Sequence, residues 1–343
     1  MIELASDSLV FTFPDLHPRA RFRMTFQRTL RIPDDGRDYP LPPGLGAFPL
    51  RHVDDFSERV PRPWLARGGV MLPMYQSEAL WLSFQSDFIG DHDAAWPFAV
   101  KIAAGKIDAV TGKGWSEGLH RDPQDYLVAP VQPWLDGFCV EKGIIRQFVA
   151  MPLGGGYTAE EQITGKGEFG GIQILVAPMR REAFERRFPK VERRFQRMAL
   201  GQAPECCACP AAEGEMGLGA GGRMRQEIYD DPYGLSEWDA TQGSRCFVHL
   251  TNSLVWRAIT GSEPPTVPPT AREYTAHGLP WFTYYSDAKA VEGSKILAEL
   301  ESVLTVGRKK GQVPLPENEP VDPANVVHLR KGLKKGQVRE GRF

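Results

Sequence analysis

Residues 143–179 read GIIRQFVAMPLGGGYTAEEQITGKGEFGGIQILVAPM. Two apolar runs, 144–150 and 171–177, flank a polar, glycine-rich insert. Runs of that length, rich in Ile, Val and Phe and bounded by glycine, read as buried strands. The insert then becomes a loop held on a rigid support. Within it Thr158 and Glu161 have the spacing of a capping box, so a short helix is expected to start there. The glycines at 154–156 lack the Gly-Lys-Ser/Thr of a phosphate loop, and they do not match the dinucleotide fingerprint.

Working outward, the same strand chemistry recurs. Positions 22, 24, 26, 28 and 30 are Phe, Met, Phe, Arg and Leu, with Arg, Thr, Gln and Thr between them. That period of two marks a sheet with one wet face. Residues 69–89 fit either a helix or a strand. From Pro97 a hairpin is expected, turning at Ala104 and Gly105 and pairing Ile102 with Ile107 and Lys101 with Asp108. Further strands are expected at 126–131 and 137–140. The first 180 residues therefore read as an antiparallel sandwich or barrel-like domain.

The pattern changes after Met179. Phe184, Phe188, Val191, Phe195 and Met198 fall at helical steps among arginines, with Pro189 set to kink or divide the helix. Residues 200–223 are small and glycine-rich and read as a flexible loop, closing a segment that spans 181–223. A smaller α+β domain is expected over 224–306, with a helix at 288–306, and a basic, disordered tail over 307–343. The fold class is thus α+β, mainly β.

Composition supports a globular chain: 42% hydrophobic and 24% charged residues are ordinary values, and 35 glycines with 29 prolines favour turns and short strands. Net charge is −2. Residues 180–197 carry eight basic against three acidic side chains, and 308–343 nine against four, so two basic segments sit on an acidic body. No apolar stretch approaches the roughly 18 residues of a membrane span. The N-terminus lacks the basic start and apolar run of a secretory signal. Five cysteines, three of them clustered, are no disulfide framework and suit a reducing cytoplasm.

No motif fixes a reaction. The catalytic candidates are carboxylates and one imidazole: Glu160 and Glu161 in the insert, and His120, Asp122 and Asp125 in a polar loop. Cys206, Cys207 and Cys209 are soft metal ligands, but three cysteines without paired C-x-x-C spacing make a poor zinc site. His249 in an apolar strand reads as a core residue. The run from Tyr229 to Asp239 reads as a turn. Trp134, Asp136, Tyr157, Trp281 and Tyr284 are candidate binding residues, the aromatics for their flat faces, and Arg186 and Arg193 for their charge. No cofactor is called for. The leading expectation is a soluble binding or assembly protein, a homo-oligomer that offers aromatic and basic surfaces to a protein or polymer. A carboxylate-using hydrolase near the 154–156 loop and a nucleic-acid binder using the 180–197 arginines are the alternatives.

Overall fold

A computed structural model describes residues 1–191, 215–286, 288–313 and 318–330. The strands that matter here are β1 (Ser8–Thr12), β2 (Arg21–Thr29), β3 (Val70–Met74), β4 (Ala79–Ser86), β5 (Phe98–Ala104), β6 (Ile107–Asp108), β7 (Trp134–Leu135), β8 (Gly137–Glu141), β9 (Ile144–Pro152), β10 (Ile172–Pro178), β11 (Glu215–Arg225), β12 (Ser244–Asn252), β13 (Trp281–Tyr285) and β14 (Val326–Arg330). The helices are short: α1 (Ala159–Thr164), α2 (Arg181–Arg187), α3 (Ser253–Thr260), α4 (Lys295–Ala298) and α5 (Val303–Lys309).

One antiparallel ladder runs β1-β2-β4-β9-β11-β12-β10-β5. It curls so that its ends meet across the core, where Phe98 lies 5.5 Å from Phe22 and 5.6 Å from Phe13, ring to ring. Among the described residues no pairing closes it into a barrel. β3 joins β12 in parallel, and β13 pairs β14 in parallel as a separate small sheet. The architecture is mainly antiparallel β with several helices, the α+β class expected.

Alternation explains β2, in which Phe22, Met24 and Phe26 are fully buried while Arg23, Thr25 and Gln27 are half-exposed. The ambiguous stretch 69–89 resolves into two strands, β3 and β4. The β5–β6 hairpin departs from its expected register. Ala104 faces Ile107 and Ala103 faces Asp108, so the turn lies at Gly105 and Lys106, one residue later. Both corner residues have positive φ, +57° and +61°, the twist that a two-residue hairpin turn demands. Lys101 consequently does not meet Asp108 across the ladder; its ammonium reaches Asp125 at 2.8 Å.

Three other expectations are corrected. Residues 215–223 are strand, not loop: β11 lies along β9 with almost every residue buried. The helix expected at 288–306 is two helices, because Ser294 and Ser302 each cap a new start. In the tail, residues 307–309 finish α5 and 326–330 form β14, so those parts are ordered. Helix α2 ends at Arg187, before Pro189. Residues 192–198 of the expected helix lie outside the described residues, together with Arg193, the three clustered cysteines and 331–343. One buried apolar cluster takes side chains from Leu9 to Val321, including Leu218, Trp281 and Leu297.

Candidate functional site

Five segments far apart in sequence converge on a groove of about 210 Å³. Strand β4 buries Leu80, Leu82 and Phe84 and turns Trp81, Ser83 and Gln85 outward. β7 pairs with it so that Trp134 sits opposite Ser83, diagonal to Trp81 on the same face. The two indoles meet edge to face at 6.5 Å. β13 turns Phe282 and Tyr284 to one side, and Tyr284 packs edge-on against Trp134 at 4.8 Å. Leu41 is tied to Phe282 by two backbone hydrogen bonds of 2.8 and 2.9 Å, which brings Pro42 and Pro43 into the lining. Leu329, opposite Tyr284 in β14, completes the lining and is 39% exposed.

Asp136 is the polar group at the base. Its Oδ2 accepts from Gln226 Nε2 at 2.5 Å, and its backbone N–H donates to Gln226 Oε1 at 3.0 Å. Burial pushes its carboxyl up to about 7, against the opposing pull of the Gln226 and Trp134 hydrogen bonds. The groove is therefore apolar and aromatic, with one acid at its floor that is about half protonated near pH 7.

Of the residues singled out in the sequence, Trp134, Asp136 and Tyr284 come together here. Trp281 does not: it is fully buried, on the other face of β13. Tyr157 is buried in a small cluster with Val149, Met151 and Val303. Arg186 is exposed, but its Nη2 meets both Glu237 carboxylate oxygens at 2.7 Å. Trp81 and Phe282 escaped the sequence reading. Trp81 did carry a signal, a tryptophan on the polar side of an alternating strand.

Four of the five catalytic candidates, Glu160, Glu161, His120 and Asp125, are bonded to groups of this chain. Glu160 is buried, and its oxygens accept from the N–H groups of Glu168, Phe169 and Gly170 at 2.8–2.9 Å. Glu161 completes the capping box with Thr158 and also accepts from the Gly156 N–H at 2.7 Å. Asp125 is buried between Lys101 and His120, each at 2.8 Å. Ser116, His120 and Asp125 are the residue types of a nucleophilic triad, yet Ser116 and Asp125 both approach His120 Nδ1. A relay needs them on opposite nitrogens. Asp122 is exposed on the same loop. His249 is stacked between Trp64 and Phe247, both at 4.4 Å, and burial lowers it to about 4. In the acidic run, Asp231 accepts from Tyr126, Trp238 and two backbone N–H groups, the bonding of a structured turn.

Among the described residues no group of three or more His, Cys, Asp or Glu is arranged to hold a metal ion, and no helix is long and apolar enough to cross a membrane. The chain matches no protein-family model, no curated protein and no solved structure.

Proposed function

We propose that this chain is a binding protein whose aromatic groove takes an extended, proline-containing segment of a protein partner. The observation that carries the reading is the convergence of Trp81, Trp134 and Phe282 with Pro42 and Pro43 around one groove, with Tyr284 packed against Trp134. Proline-rich segments hold an extended helix before they bind, so docking on aromatic walls costs them little entropy. Proline also has no N–H to satisfy. A groove with a single acid, already bonded to Gln226, suits such a ligand. A sugar would bring many hydroxyls into a place with few partners, each a desolvation cost. The arginines at the start of the 180–197 segment support a nucleic-acid role less well, since Arg180, Arg181, Arg186 and Arg187 all donate to acceptors of this chain. Cys139 and Cys246 are unpaired thiols, which agrees with a cytoplasmic setting.

The test is titration with a decaproline peptide, followed by tryptophan fluorescence and calorimetry, with cellohexaose as the comparison. Saturable binding of the peptide, weakened about tenfold or more by Trp134→Ala as expected for an aromatic hot spot, supports the reading. Binding of the sugar alone, or peptide binding indifferent to both Trp81→Ala and Trp134→Ala, overturns it. Light scattering separates a third case, in which a second copy of the chain fills the groove; a dimer dissolved by Trp134→Ala also overturns it.

A further inference from the structure

A second cleft, sharing no residue with the aromatic groove, has a different character. Its volume is about 290 Å³, at the small end of the roughly 300–1,000 Å³ typical of small-molecule sites. Its walls include Trp115, Phe169 and Phe247, and three cations open onto it: Arg67, Lys106 and Arg245. Arg245 is paired with Glu117. Arg67 and Lys106 meet no carboxylate within ion-pair distance among the described residues. They rest on aromatic faces instead: Lys106 Nζ lies 4.1 Å from the centre of the Phe169 ring, and Arg67 lies 5.4 Å from Phe169 and 5.2 Å from Phe247. Arg67 is held in place by its donations to the carbonyls of Phe169 and Glu168 at 3.0 and 2.8 Å.

The position of Lys106 is costly to keep. A Cβ on Gly105 would lie 2.4 Å from Glu160 Oε2, so the first corner of this turn has no room for a side chain. The second corner also has positive φ, where glycine is the unstrained choice, yet it carries a lysine at φ +61°. A strained residue whose charge faces an aromatic cleft is the pattern of a ligand-holding position. Its backbone N–H is fixed by Gln173 Oε1, and its carbonyl accepts from the Trp115 N–H at 2.7 Å.

We infer that this cleft binds a small aromatic anion, a single planar ring bearing a carboxylate or phosphate. The ring lies against Trp115 and Phe247, and the anionic head meets Lys106 and Arg67, two cations without a carboxylate partner among the described residues. Cations beside low-dielectric walls concentrate the field on such a head. Cys246 also lines the cleft, and burial pushes its thiol up to about 12, so it stays protonated and the association is non-covalent.

The experiment is calorimetric titration of the whole chain with phenyl phosphate, benzoate, benzyl alcohol and inorganic phosphate. At least one ring-bearing anion binds saturably; the neutral ring and the bare phosphate each bind about tenfold more weakly or worse, the loss expected for one charge-assisted contact. Lys106→Gln lowers affinity by the same factor. Lys106→Gly suits the turn's backbone and keeps the fold, and it lowers affinity equally. Absence of saturable binding by both anions, equal binding of benzyl alcohol, or unchanged affinity in Lys106→Gly and Arg67→Gln each overturns the inference.

Discussion

The carboxyl of Asp136 makes stability depend on pH in a direction opposite to the usual carboxylate. Burial pushes it up to about 7 from an ordinary value of 3.8. Between those two values the folded chain holds a proton that the unfolded chain has lost. Stability therefore falls as pH rises through that window and levels off above about 7. At about 1.36 kcal/mol per unit, the loss between pH 5 and pH 8 is about 2.5 kcal/mol. Asp108, fully buried, is likewise pushed up to about 7 and contributes a similar slope. Asp136→Asn keeps an oxygen for Gln226 and removes the titration, so the pH 5 to pH 8 change in stability should differ between variant and wild type by about 2.5 kcal/mol, whatever Asp108 and the oppositely shifted His249 contribute to both. Urea denaturation at pH 5, 6, 7 and 8, wild type against variant, measures it. Parallel curves for the two proteins would refute burial as the cause. The same acid links to the groove: an apolar ligand over Trp134 further dries Asp136 and favours its neutral form, so affinity should fall from pH 6 to pH 8 in the wild type and stay level in Asp136→Asn.

Two further outcomes concern the scaffold. Arg28 and Glu78 form a buried pair at 2.6 Å, with side chains 8% and 1% exposed; Glu78→Gln strands the guanidinium and should cost about 3–5 kcal/mol in denaturation experiments, while Arg28→Met with Glu78→Leu should recover most of that loss. Gly222→Ala would place a Cβ 2.5 Å from the Pro33 carbonyl oxygen. It should destabilise by about 1–3 kcal/mol, read as a lower melting temperature; an unchanged melting temperature would count against that close packing.

Local rules carried the sequence reading a long way. Alternation at 21–29, glycine-bounded apolar runs at 144–152 and 172–178, and the Thr158–Glu161 spacing each encode their structure in neighbouring residues. β11 failed the same reading because its composition answers to partners distant in sequence. Gly219 and Gly221 have no side chain because Tyr157 and Val149 approach within 3 Å of where a Cβ would stand. Glycine there serves contact, which mimics loop composition. The groove was half legible. Trp134, Asp136 and Tyr284 stood out as aromatic or acidic residues near turns, but Trp81, Pro42 and Phe282 join them only through pairings that bring residues 41 and 282 side by side. No window of sequence contains that juxtaposition.

β14 is translated after every other wall of the groove, and Leu329 is the last of those walls to leave the ribosome. The surface beside the two indoles is therefore complete only when segments as far apart as Leu41 and Leu329 have folded against one another.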